Sequence, residues 1–386
     1  MRRKQLFTLF LCSLVQFTMG GSVAPLLPVY LARLGIDPAA SGFYFTLGFL
    51  AIAAGAYSAG WISDRFQRRR EPIFVSALVG LPAMYLMGQV NQIIPLTILT
   101  LLTWFIGGLV VSTLSIIAGL FAEPHERGRV FGVIAAAQSG GGIIGGFARG
   151  AIVDRWDFAT LFIFIASLEL MLMGAVFLVE DKQMAITTEE QPAARLPFMT
   201  LSLWLLFIAF VLANAASSGT GLGRALYMNA LGFSATAIST TGAIAGLVTL
   251  PLSFTLGWAS DRLGRKSVLM AAFTVVVLGA LVLVAASMLW QFWLSTALLA
   301  VVGTSMGVGT ALVTDLAPPE ARATAIARFS ATPWIGAAIG FGQTGLLMAN
   351  LDIQTTFMVM AVVALIGTLL VSLIGLRKPM PVPTLS

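Results

Sequence analysis

Charge is what this sequence has least of. Only 10% of its 386 residues are Asp, Glu, Lys or Arg, against 58% hydrophobic, and the mean hydropathy is +0.94. Soluble globular chains carry about 25% charged residues. The deficit excludes a soluble enzyme, a nucleic-acid-binding protein and a disordered chain. Cysteine is nearly absent too: Cys12 stands alone, so no internal disulfide and no thiolate metal cage can form. A single histidine, His125, leaves no histidine metal site. No GxxxxGK[ST] phosphate loop occurs, which removes ATP-driven pumping by this chain. Neither a metal nor an organic cofactor is expected.

What the sequence has instead is long apolar runs. A helix needs roughly 20 such residues to cross a hydrocarbon core about 30 Å thick. Twelve stretches meet that requirement: 6–31, 41–63, 72–90, 94–121, 130–153, 158–179, 198–226, 234–259, 267–288, 291–315, 323–349 and 354–376. They are too long and too evenly apolar for alternating barrel strands. The first, opening MRRKQLFTLF, runs on past signal-peptide length without a small-residue cleavage site and reads as an uncleaved span. The expectation is an all-α membrane protein of 12 transmembrane helices embedded in a lipid bilayer.

The basic residues test the count. With the N-terminus placed in the cytoplasm, eighteen of the 22 Lys and Arg fall inside, and only Arg33, Arg149, Arg155 and Arg224 fall outside or in outer helix ends. That bias is what the positive-inside rule asks of an even number of spans with both termini cytoplasmic. The basic balance is therefore topology, not a polyanionic ligand.

The chain also repeats itself. YLARLG at 30–35 corresponds to YMNALG at 227–232, and GWISDR at 60–65 to GWASDR at 257–262, both at an offset of 197. EPHERGR at 123–129 and PPEARAT at 318–324 correspond at 195. The most polar stretch, 180–197, divides an N-terminal six-helix half (1–179) from a C-terminal one (198–386) and reads as a cytoplasmic linker. Parallel halves of this kind place a substrate site between them near the midplane.

On these residues the chain resembles the major facilitator superfamily over essentially its whole length. The family's G-x-L-a-D-R-x-G-R-K loop appears as GWISDRFQRRR (60–70) and more closely as GWASDRLGRK (257–266), with Gln67 where the first copy expects glycine. The span-five G-x-x-x-G-P-x-x-G-G motif resembles AQSGGGIIGG (137–146): Gly141, Gly145 and Gly146 keep the spacing, while Gly142 replaces proline and Ala137 the first glycine. That motif is associated with drug:proton antiporters. The family's span-four arginine is missing, with Trp104 at its position.

The resemblance implies two six-helix halves related by a pseudo-two-fold axis. It also implies a gating role for Gly60, Asp64, Arg65 and Arg68 and for Gly257, Asp261, Arg262, Gly264 and Arg265. In the family, the aspartate of each loop meets a helix of the opposite half near its positive N-terminal end, closing the cytoplasmic side. Glu169 is the carboxyl at the middle of a span and therefore the proton-coupling candidate. Midspan positions on the helices that line the family's cavity supply Gln16, Trp104, Gln138, Asn214, Met306, Trp334 and Gln343. Arg149 and Arg224 lie in outer parts of two such helices. Either they clamp a carboxylate or phosphate, or they snorkel outward, Arg149 pairing with Asp154 or Asp157.

The function expected is secondary active transport across the inner membrane by alternating access, without enzymatic turnover. The chain is expected to act as a monomer, coupled to protons, moving small hydrophobic or cationic drug-like compounds outward. The alternative is a facilitator or exchanger of a small organic anion held by Arg149 and Arg224.

Overall fold

A computed structural model describes residues 3–20, 23–66, 68–123, 126–180, 200–318 and 321–375. Among them the chain forms fifteen α-helices and no strand. Span one is α1 (Arg3–Gly20) followed by α2 (Val23–Arg33). Spans two to six are α3 (Pro38–Phe66), α4 (Arg70–Met87), α5 (Ile93–Phe121), α6 (Arg127–Arg155) and α7 (Phe158–Val176). Spans seven to nine are α8 (Leu201–Ala230), α9 (Ala235–Leu263) and α10 (Arg265–Val284). Span ten is α11 (Leu289–Leu299) with α12 (Val301–Leu316), span eleven α13 (Arg322–Phe329) with α14 (Thr332–Asn350), and span twelve α15 (Ile353–Ser372). The linker at 181–199 lies outside the described residues, as do Gln67 and His125.

Twelve spans are thus present, ten of them long and apolar enough to be read as crossing segments by length and composition alone. Among the described residues two expected single helices, those of spans ten and eleven, are each broken in two. Span one is described on either side of residues 21–22, which lie outside the described residues. Span eleven divides just before Pro333, whose ring disfavours a helical residue ahead of it and pre-sets the first turn of α14. For the break of span ten at Ala300 there is no comparable local cause.

The repeat is visible in the backbone. Gly35 and Gly232 both take positive φ, 76° and 77°, where a side chain would be strained. In both, the following amide closes the helix end, Ile36 N–H donating to Leu31 O and Phe233 N–H to Met228 O, each at 3.0 Å. Downstream, Asp37 and Ser234 accept from Ala40 and Ala237 amides, and Asp157 and Asp352 from those of Thr160 and Thr355. Four helices therefore start with capped ends on one face of the molecule.

Small residues let the helices approach closely. A β-carbon at Gly55 would lie 1.9 Å from Phe105 O, at Gly108 2.2 Å from Ile52 O, and at Gly340 2.1 Å from Ala215 O. These glycines set the α3–α5 and α8–α14 contacts within each half. Helix α4 packs on α7 and α10 on α15, forming the outer pairs. The halves meet along α6 with α9 and α3 with α14. The face where α3 and α9 end is called the basic face below, since Arg65, Arg68, Arg262, Arg265 and Lys266 cluster there. The other, bearing the four caps, is the capped face.

Candidate functional site: a cleft between the halves

The two interhelical seams that join the halves are tight only near the capped face. On α6 a β-carbon at Gly150 would lie 2.4 Å from the Thr236 Cα, and one at Gly146 2.5 Å from the Ala243 amide. On α3 a β-carbon at Gly42 would lie 2.6 Å from Phe341 O, and Thr46 Oγ1 donates to Ala338 O at 2.7 Å. Continuing along the same stripes toward the basic face, the contacts stop. Tyr57 on α3 is 84% exposed and Phe254 on α9 is 71% exposed, and nothing lies within 4 Å of a β-carbon placed at Gly60, Gly132 or Gly257. A cleft of about 590 Å³ opens there, lined by Phe131, Gln138 and Gly142 of α6, by Gly246 and Phe254 of α9, and by Thr304 of α12. The body is open at one face and sealed at the other.

A carboxylate holds the seal. Asp154, in the last turn of α6, accepts hydrogen bonds from the Ala235 and Thr236 amides at 2.8 and 2.7 Å. These are the first amides of α9, in the opposite half. An acidic group at a helix C-terminus is repelled by its own helix, whereas the N-terminus of another attracts it. The expected pairing of Arg149 with Asp154 is therefore corrected, because that carboxylate is already committed to α9. Asp157 caps α7 instead.

The basic-face loops are in a different condition. Asp261 is exposed and makes no hydrogen bond or ion pair, so the C-terminal copy of the expected latch is not engaged in this conformation. The Asp64 side chain lies outside the described residues. Arg265 pairs with Asp315 and donates to Ala311 O at 2.5 Å, joining α10 to α12 within one half. Gly264 takes φ 88°, which makes the sharp turn between α9 and α10. Arg262 stacks over Trp258 at 4.1 Å, and Arg68 pairs with Glu71 at 2.7 Å on the surface. Arg65 is exposed.

The span-five glycines serve packing on both sides. A β-carbon at Gly141 would meet Leu14 O at 2.6 Å on α1, while Gly146 faces α9. Gly142 has open space at its β-position, where the family motif has proline; Gly145 completes the strip.

The predicted cavity residues separate into groups. Gln16 and Gln138 line a small gap between α1, α5 and α6. Trp104 and Trp334 flank Phe49, at 5.4 and 6.2 Å between ring centroids, and Phe341 stacks on both Phe45 and Phe49. This aromatic cluster bridges α3, α5 and α14 across the seam. Asn214 donates to Phe210 O at 2.8 Å and packs under Gly336, a helix contact within the C-terminal half. Met306 belongs to the apolar core of that half, and Gln343 is half-buried on α14 without a hydrogen bond. Glu169 is 4% exposed and faces Gly80 in the outer α4–α7 pair, not the cleft. Arg149 and Arg224 are buried in the sealed half.

Sequence reasoning missed Asp154 as a cross-half contact, and Phe45, Phe49 and Phe341 as the seam's aromatic lining. The signal for Asp154 was its place, an acidic residue in a helix's last turn.

Comparison with known proteins agrees with this architecture. The profile of the Major Facilitator Superfamily matches residues 9–234 and 205–386. Multidrug resistance protein MdtG of Klebsiella pneumoniae (strain 342) is 27% identical over 273 residues, covering 66% of this chain and 65% of that protein. The MdtG of Salmonella paratyphi A is 26% identical over 276 residues, with 66% of each covered. The matched region thus spans about 65% of these relatives' length. The crystal structure of nucleoside transporter NupG superposes with a TM-score of 0.81 at 16% identity, covering 97% of this chain and 100% of that one. A bacterial homologue of the human lysosomal transporter Spinster, inward-facing and unoccupied, superposes at 0.77 and 13% identity with 97% of each chain covered. At these identities the likeness is one of fold.

Proposed function

Because the chain belongs to the Major Facilitator Superfamily, we propose that the cleft is the inward-open half of an alternating-access cycle exporting small hydrophobic, drug-like compounds. The basic face is read as cytoplasmic, in line with the distribution of Lys and Arg, and the membrane as the inner one. The observation that carries the reading is the contrast between the two ends of the same seams: backbone-to-glycine contact at Gly150 and Gly42, open space at Gly60 and Gly257. A two-mouthed body with one mouth sealed is what alternating access requires.

The lining supports apolar cargo. The rings of Phe17, Phe131 and Phe254 and the glycine-rich wall of α6 offer shape and dispersion contact, and no charged side chain stands among the described lining residues. Resemblance to relatives named multidrug resistance proteins points the same way. Of the expected hydrophobic or cationic substrates, the hydrophobic class fits better, since no midspan carboxyl among the described residues borders the cleft to receive a cation.

Proton coupling is the family-based part of the proposal. Glu169 is the midspan carboxyl available for it, buried against Gly80 with Oε2 unpartnered. Purified protein in liposomes containing a pH-sensitive dye tests both parts. Addition of an aromatic, drug-like compound under an imposed proton gradient should move protons. If the drug equilibrates without proton movement the coupling fails, and if no compound crosses under any gradient the transport reading fails.

A further inference from the structure

Arg149 is fully buried, and none of its three guanidinium nitrogens has a hydrogen-bond partner. Guanidinium holds its proton more firmly than any other side chain, and an unpaired charge away from water is among the least tolerable features of a fold. Asp154, the carboxylate nearest in sequence, is taken by the α9 amides. Glu169 sits in the outer α4–α7 pair. A second guanidinium, Arg224 on α8, is also buried with its Nε unpartnered. The sealed half of the body therefore holds two cations with no carboxylate in ion-pair reach of either among the described residues.

Arg149 stands on the same helix as the cleft wall, beyond its blind end. Gln138 and Gly142 line the cleft from α6, and Arg149 follows on the same helix stripe, two turns or roughly 10 Å beyond Gly142. Side chains on a helix lean toward its N-terminus. For α6 that end is at the open face, so the lean is toward the blind end of the cleft, while Arg149 itself is fully buried and stands beyond the lining residues. Gly145 and Gly146 put no side chain on the surface between.

We propose that Arg149 reads the charge of the cargo, and that the transported compounds are amphiphilic anions, an aromatic or aliphatic body bearing a carboxylate or phosphate-type group. The acid pairs with the guanidinium fork at the apex, and the body lies along the cleft below it. Arg224 adds positive potential from the opposite half. This inference rests on the transport reading and names its substrate class.

The test uses the purified full chain and three matched probes: a naphthyl carboxylate, its amide and the corresponding amine. The carboxylate should raise the unfolding temperature of the wild type, and its affinity should fall at least tenfold in Arg149→Gln and less in Arg149→Lys. Ligand-free Arg149→Gln should unfold at or above the wild-type temperature, since an unpaired charge has been removed. A lower temperature would make the arginine structural and overturn the proposal. Equal stabilisation by the amide or the amine would also overturn it. So would a response to dispersed phosphatidylglycerol that is lost in Arg149→Gln while the carboxylate has no effect, because the anion would then be a lipid headgroup. In liposomes, an amide that is moved while the carboxylate is neither bound nor moved defeats this inference and leaves export standing. Binding of the carboxylate with no compound moved under any gradient defeats export and leaves the site.

Discussion

Replacing Asp154 should open the capped face. The side chain makes two charge-assisted hydrogen bonds to the first amides of α9. Hydrogen bonds to charged groups contribute about 1.5–3 kcal/mol when well shielded, and an exposed carboxylate at a helix N-terminus adds about 0.3–1 kcal/mol. Asp154 is exposed, so the sum is discounted to about 1–2 kcal/mol, a five- to thirtyfold change in an equilibrium. These bonds exist only while the halves are closed at this face, so their loss should shift the sealed-to-open ratio by that factor and leave each half intact. Spin labels at Trp156 and Leu231, both exposed near the capped face on opposite halves, report the distance across it once Cys12 is replaced by serine. Asp154→Ala should populate a longer distance, and Asp154→Asn, which keeps one acceptor without the charge, should fall between. If all three distributions coincide, the carboxylate does not hold the seal.

Further predictions follow the same geometry. Gly150→Ala places a β-carbon 2.4 Å from the Thr236 backbone and should favour the open capped face, whereas Gly55→Ala, inside one half at 1.9 Å from Phe105 O, should instead cost roughly 1–3 kcal/mol of overpacking and lower the unfolding temperature; the distance measurement and a melt separate the two. Glu169→Gln should abolish dye-reported proton movement while leaving drug binding unchanged, and proton movement at the wild-type rate would remove Glu169 from the coupling path. Hydrogen bonds from the Thr160 and Thr355 amides hold the Asp157 and Asp352 carboxyls below the usual range. Their capping contribution is therefore complete above about pH 4 and is lost as pH falls through the lowered values. The double variant Asp157→Asn, Asp352→Asn should flatten acid unfolding in that window, and an unchanged profile would show that the caps do not titrate.

The fold was legible because the bilayer imposes a strict length on apolar runs, and the twelve windows coincide with twelve spans to within a few residues apart from two internal breaks among the described residues. The duplication was legible because Gly35 and Gly232 answer to a backbone requirement, positive φ, that other residues meet badly. The site was less so. Side chains such as Asn214 and Met306 share helices with cavity residues, but the face each turns to depends on rotation about the axis, and evenly apolar spans give no periodic signal to fix it. Asp154 and Arg149 belong to one sealed region, yet the amides of Ala235 and Thr236 that claim the aspartate are more than eighty residues away along the chain.

The placement of the acidic groups explains why one face is sealed while the other is open. Asp154 meets helix amides across the halves, and at the basic face Asp261, in the C-terminal copy of the repeated loop, meets none. A helix N-terminus attracts a carboxylate only over its first turn, so in the proposed cycle a latch of this kind acts at short range and goes slack once the halves part at its face. If Asp261 binds across the basic face when that mouth shuts, as proposed, carboxylates at opposite faces make the intermediate with both mouths open the least favourable arrangement. The glycines of α6 contact both halves: Gly141 packs the helix on α1 in its own half, and Gly146 and Gly150 pack it on α9 in the other. A side chain at Gly146 would therefore hinder closure at the capped face without loosening the α1–α6 contact. Gly146→Ala should shift the Trp156–Leu231 distance outward while leaving the unfolding temperature near that of the wild type. A large fall in that temperature with no change in distance would show that the strip is packing alone.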